Sequence, residues 1–130
     1  MAFRTTLILL VILMPNTVRG AETFHVDGIA YHEAGDPGAP LVFLLYGTPG
    51  SSRAFTHLLG NERLLAARHL IAVDRPGFDA SSELPLAQSF ADQVSLLDAA
   101  LERNRSGQRA VVAGHSLGGS IAYRVAVDRP

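Results

Sequence analysis

The sequence predicts an α/β domain, a mostly parallel sheet with helices on both faces. Three observations carry that prediction. Short apolar runs at Leu41–Leu45, His69–Val73 and Arg109–Ala113 alternate with segments whose apolar residues recur at helical spacing. Leu41–Leu45 is apolar without interruption, as a strand buried on both faces must be. The third run leads directly into Gly114-His115-Ser116-Leu117-Gly118, after which Leu117, Ile121 and Val125 recur every fourth residue. The resulting order β, α, β, α, β, α implies parallel strands with crossover helices.

Composition sets the outer limits. With 130 residues, 48% hydrophobic and 18% charged, the chain has the size and balance of one globular domain. It has no cysteine, so neither a disulfide framework nor a thiolate metal site is available. No histidine pair falls at i, i+4, and no cofactor or metal site is expected. A net charge of −1 gives no electrostatic reason to expect nucleic acid or an anionic membrane as partner.

The first twenty residues have the layout of a secretory signal peptide: Arg4, the apolar run Leu7–Met14, then Pro15 and small residues near Gly20 and Ala21. The run is shorter than the about 20 apolar residues a membrane span needs, so export with cleavage near Gly20–Ala21 is expected rather than a stable anchor. The protein would then be secreted or periplasmic, with residues 21–130 as its domain.

Thr23–Val26 and Ile29–His32 flank Asp27-Gly28, a hairpin signal that places these strands at the sheet's edge. Asp36–Pro40 is a turn. After Leu41–Leu45, Ser51 or Ser52 can cap a helix with Phe55, Leu58 and Leu59 on its apolar face, and Glu62–Ala67 adds a second helical turn. Phe90, Val94, Leu97 and Leu101 predict a core-facing helix, with Ser89 and Asp92 as its capping box.

Gly114–Gly118 reads G-x-S-x-G, a sharp strand-to-helix turn that exposes a serine and requires glycine where a Cβ would meet backbone. With this turn in its strand–turn–helix context, and with LYGTPGS at Leu45–Ser51 and VDRPGFDAS at Val73–Ser81, the chain resembles the α/β-hydrolase family. The resemblance covers Leu41–Pro130 and is similar to the N-terminal half of members such as simple esterases, prolyl iminopeptidases and carbon–carbon bond hydrolases.

The resemblance implies that Ser116 is a nucleophile. It also implies an oxyanion hole formed by the backbone N–H of Leu117 and that of Thr48, on the Gly47–Gly50 loop. Serine at the elbow argues against branches that carry aspartate there, as haloalkane dehalogenases and epoxide hydrolases do. Two positions depart from the family pattern. Tyr46 stands where relatives usually have histidine, with a hydroxyl able to donate one hydrogen bond, and Asp79 stands where they usually have glycine. Asp74 and Arg75 are read as structural.

A serine of this kind needs a base and an orienting acid, which in this fold follow it in the chain. The histidines, His25, His32, His57, His69 and His115, all precede Ser116, and Asp128 is the only acid after it. His115 should point away from the serine, and His57, on the helix beyond the oxyanion loop, does not fit the family's geometry. His25, His32 and His69 read as surface or satisfied core residues. The expectation is an exported serine hydrolase acting on a small-molecule ester, amide or related acyl substrate, represented by a partial domain without the strands that bear the acid and histidine. Two alternatives remain: a non-catalytic truncated product that only binds or misfolds, and a carbon–carbon hydrolase or perhydrolase on the same fold.

Overall fold

The computed structural model describes residues 20–130; the signal-peptide segment lies outside the described residues apart from Gly20. Strands β1 (Glu22–Val26) and β2 (Ile29–Ala34) form the hairpin. Asp27 (φ 51°) and Gly28 (φ 81°) both take left-handed backbone, as a two-residue turn matching the strand twist requires. Then follow β3 (Leu41–Leu45), α1 (Thr56–Leu59), α2 (Glu62–Leu65), β4 (His69–Val73), α3 (Phe90–Arg103), β5 (Val111–Gly114) and α4 (Leu117–Asp128). The sheet order is β1-β2-β4-β3-β5.

The sheet is mixed. Strands β4, β3 and β5 are parallel, whereas β1 with β2 and β2 with β4 are antiparallel. The loop Gly35–Pro40 is too short for the crossover that parallel strands need, so the chain reverses between β2 and β3. Helices cover both faces, as the alternation predicts. Leu41, Phe43 and Leu45 of β3 and Ile71 and Val73 of β4 pack towards α3 and α4. Leu44, Leu70 and Ala72 pack towards Leu59 of α1 and Leu65 of α2. The period-2 alternation of β3 and β4 thus fills two separate apolar layers.

Three expectations need adjustment. The segment after Ser51 is a 3-10 turn (Ser52–Phe55) followed by single helical turns, and α2 ends at Leu65 rather than Ala67. In α3 the capping box of Ser89 and Asp92 is present and Val94 and Leu97 are buried, but Phe90 and Leu101 are exposed. Leu96, Ala99 and Ala100 complete the buried residues of α3, which lies against α4. Strand β5 runs from Val111 to Gly114 rather than from Arg109 to Ala113; among the described residues it pairs only with β3, and Val111 is 56% exposed.

Candidate active site at the strand-to-helix elbow

Ser116 sits at the turn between β5 and α4 with φ 54° and ψ −123°, a backbone conformation that L-residues rarely adopt. The surrounding glycines explain how it is held. A Cβ on Gly114 would lie 2.1 Å from the Gly118 carbonyl oxygen, and one on Gly118 would lie 2.1 Å from the Leu45 carbonyl oxygen. Strand end, turn and helix start are therefore in direct backbone contact. His115 N–H donates to Leu45 O at 3.0 Å, and Gly119 N–H to Ser116 O at 2.8 Å. The Ser116 side chain does not cap its helix and is exposed.

The loop after β3 lies against this turn. A Cβ on Gly47 would stand 2.8 Å from Ser116 Cβ and 3.3 Å from its Oγ. Gly47, Thr48, His57, Leu58 and Ser116 share one cavity of about 480 Å³. Leu117 opens α4, where first-turn N–H groups have no intrahelical acceptor. Thr48 thus lines the cavity that Ser116 lines, and Leu117 follows Ser116 at the helix start.

The departures from the family pattern have structural partners. Tyr46 is buried, and its hydroxyl accepts the Arg75 backbone N–H at 2.9 Å, which ties the end of β3 to the loop after β4. Burial pushes its phenol up, against the opposing pull of Arg75. Asp79 has φ 39°, and its carboxylate takes two hydrogen bonds from Arg53, at 2.6 and 3.1 Å, which hold its carboxyl below the ordinary range. Asp74 is buried: Oδ1 accepts Ser52 N–H and Oδ2 pairs with His32 Nε2, each at 2.8 Å. It joins β2 and the 3-10 turn to the end of β4, the structural role expected of it.

The histidines divide as follows. His25 is exposed on β1, and His115 is exposed beside the serine. His69 is wholly buried, with Nε2 2.7 Å from Glu33 Oε1, and Arg103 clamps the same carboxylate through Nε at 2.8 and 2.9 Å. His57 lines the Ser116 cavity, a proximity the chain order alone does not reveal. Asp128 pairs with Arg124 on α4. Sequence reasoning missed the contacts of Arg75, whose buried guanidinium reaches Thr48 Oγ1 at 2.6 Å; no periodicity signals a contact between two loops.

Residues 41–129 match the model of the alpha/beta hydrolase family. The chain belongs to that family. It is 35% identical over 104 residues to a haloalkane dehalogenase of Bradyrhizobium diazoefficiens, covering 80% of this chain and 33% of that protein. It is 32% identical over 97 residues to epoxide hydrolase A of Mycobacterium tuberculosis, covering 70% of this chain and 28% of that protein. The solved structure of an epoxide hydrolase from an endophytic Streptomyces matches with a TM-score of 0.66 at 27% identity, over 85% of this chain and 34% of that one. This alpha/beta hydrolase chain therefore spans about a third of the length of these relatives. Their names belong to branches the elbow serine argues against, so Ser116 does not separate this chain from them in ancestry.

Proposed function

We propose that the protein is an exported serine hydrolase that transfers the acyl group of a small ester, amide or related substrate to Ser116. The observation that carries this reading is the serine's strained, glycine-walled position at the start of α4, beside the Gly47–Thr48 loop. In the reaction, Ser116 Oγ bonds to the acyl carbon as a base takes its proton. The carbonyl oxygen gains negative charge opposite the N–H groups of Leu117 and Thr48, and the C–O or C–N bond to the leaving group then breaks, the proton passing to that group. Water reverses the sequence and frees the acid. A histidine base following the serine is the family's arrangement, so the reading places base and acid outside residues 20–130.

The same chemistry weighs against carrying over the relatives' reactions. An aspartate that attacks an alkyl halide or epoxide forms an ester, which water cleaves at its carbonyl. Ser116 attacking the same carbon would form an ether, which has no carbonyl for water to add to, and turnover would stop after one event. Acyl substrates leave a serine ester and avoid this trap.

A fluorophosphonate probe with the full-length protein tests the nucleophile: labelling that disappears in Ser116→Ala supports it, and equal labelling of both proteins refutes it. Halide release from a bromoalkane, in place of ester cleavage, would refute the acyl class. The non-catalytic reading is favoured by the histidine order alone, and Ser116-dependent turnover of a p-nitrophenyl ester would end it. Export is tested by mass spectrometry of the mature N-terminus, where a start near Ala21 supports it and an intact Met1 in a membrane fraction does not.

A further inference from the structure

Arg75 is buried to 1% exposure, yet among the described residues it makes no salt bridge. The carboxylate next to it in the chain, Asp74, is occupied by His32 and Ser52. A guanidinium cannot shed its proton in a protein, so a full positive charge is held in the interior, and among the described residues its direct contacts are neutral acceptors and rings, with Nε left unpartnered. Tyr46 and Phe78 supply the rings, with centroids 4.6 and 5.0 Å from the guanidinium carbon. The acceptors are both on the oxyanion loop. Nη2 donates to Thr48 Oγ1 at 2.6 Å and reaches the Gly47 carbonyl oxygen at 3.4 Å.

These two atoms flank one peptide group, Gly47–Thr48. A trans peptide is planar, with its C=O and N–H pointing in opposite directions. A cation that holds the Gly47 carbonyl on one side therefore turns the Thr48 N–H to the other. Gly47 faces Ser116, and Arg75 stands outside the cavity that Gly47, Thr48 and Ser116 line. The same charge polarises the amide, making its N–H a stronger donor to a developing negative oxygen.

We propose that Arg75 is the positioning residue of the oxyanion hole: it fixes the Gly47–Thr48 peptide plane from behind and polarises it through the Gly47 carbonyl. Tyr46 completes the device by accepting the Arg75 N–H and lying against its guanidinium. The inference rests on Ser116 being the nucleophile and Thr48 N–H a hole donor. Arg75 touches no reacting atom, so its effect falls on the rate of acylation and not on substrate affinity.

Single-turnover phosphonylation of the full-length protein by a fluorophosphonate tests this, with rate constant and final labelled fraction measured separately. A damaged fold lowers the labelled fraction, whereas a misaligned hole slows labelling at full extent. Arg75→Met is expected to label completely but about 10- to 100-fold more slowly, less than the about 10²- to 10³-fold loss from deleting a donor outright. Arg75→Lys, which keeps the charge without the planar fork, should fall between. Thr48→Val retains the backbone N–H but removes the guanidinium's closest acceptor, and should slow labelling at a full final labelled fraction. Wild-type rates in Arg75→Met, or slowing explained wholly by a lower labelled fraction, overturn the proposal. If neither Arg75 variant folds, Thr48→Val decides, and a wild-type rate there overturns it. Wild-type protein that labels no differently from Ser116→Ala removes the nucleophile itself and the inference with it.

Discussion

Gly118 lies so close beneath the end of β3 that a Cβ on it would stand 2.1 Å from the carbonyl oxygen of Leu45. The obstacle is backbone on an interior strand, so no rotamer change relieves it. Gly118→Ala should therefore push α4 away from β3 and cost about 3 kcal/mol, the upper end of overpacking penalties. Urea unfolding of wild type and variant checks the value. A loss below about 1 kcal/mol would mean that the elbow is looser than this contact implies.

Stability should fall on the acid side through Glu33. Burial pushes its carboxyl up, but the hydrogen bonds and charges of Arg103 and His69 outweigh burial and hold it below the ordinary 4.5. A carboxyl depressed in the folded state adds stability that is fully present above its unfolded value and lost as pH falls through the folded one. The urea midpoint should accordingly decline below about pH 4.5, and Glu33→Gln, though less stable at neutral pH, should show a shallower decline. Parallel acid limbs in the two proteins would rule out Glu33 as the source.

Asp79 occupies a left-handed position, φ 39°, where a Cβ is unfavourable. Asp79→Gly and Asp79→Ala both lose the contact with Arg53, so the difference between them isolates the backbone. Glycine should be the more stable by about 1 kcal/mol. Thermal melts of the two variants measure this directly, and equal stability would show that the loop relaxes to a negative φ.

Expressed alone, residues 20–130 should self-associate through β5. Among the described residues its outer edge has no partner strand, and it offers unpaired backbone groups beside exposed Val111, a template for another chain. Val111→Lys should shift the population towards monomer on size exclusion. A wild-type monomer at high concentration would show that the edge is protected.

What the sequence made legible was whatever repeats along the chain. The two-layer burial of Leu41–Leu45 and His69–Val73, the D-G hairpin, the capping box and the glycines about Ser116 are all local patterns with one physical solution. The mixed sheet was harder to see, because β2 joins β4 across 34 intervening residues between Ala34 and His69, a pairing that no local pattern records. The exposure of Phe90 and Leu101 depends on what α3 packs against, not on their spacing. The turn at Arg75 reads as structural in the sequence; its contacts with Thr48 and Tyr46 come from two loops meeting at the ends of neighbouring strands.

The strand order also has a consequence in time. Every pairing except that of β5 joins residues that precede Asp74. Domains generally fold as units, the N-terminal one first during synthesis. The four strands are therefore synthesised before α3 and the elbow, but the apolar face of Leu41, Phe43, Leu45, Ile71 and Val73 stays uncovered until α3 and α4 pack on it. Arg75 and the loop it contacts lie on the earlier part of the chain, and Ser116 meets that loop only once β5 has paired with β3.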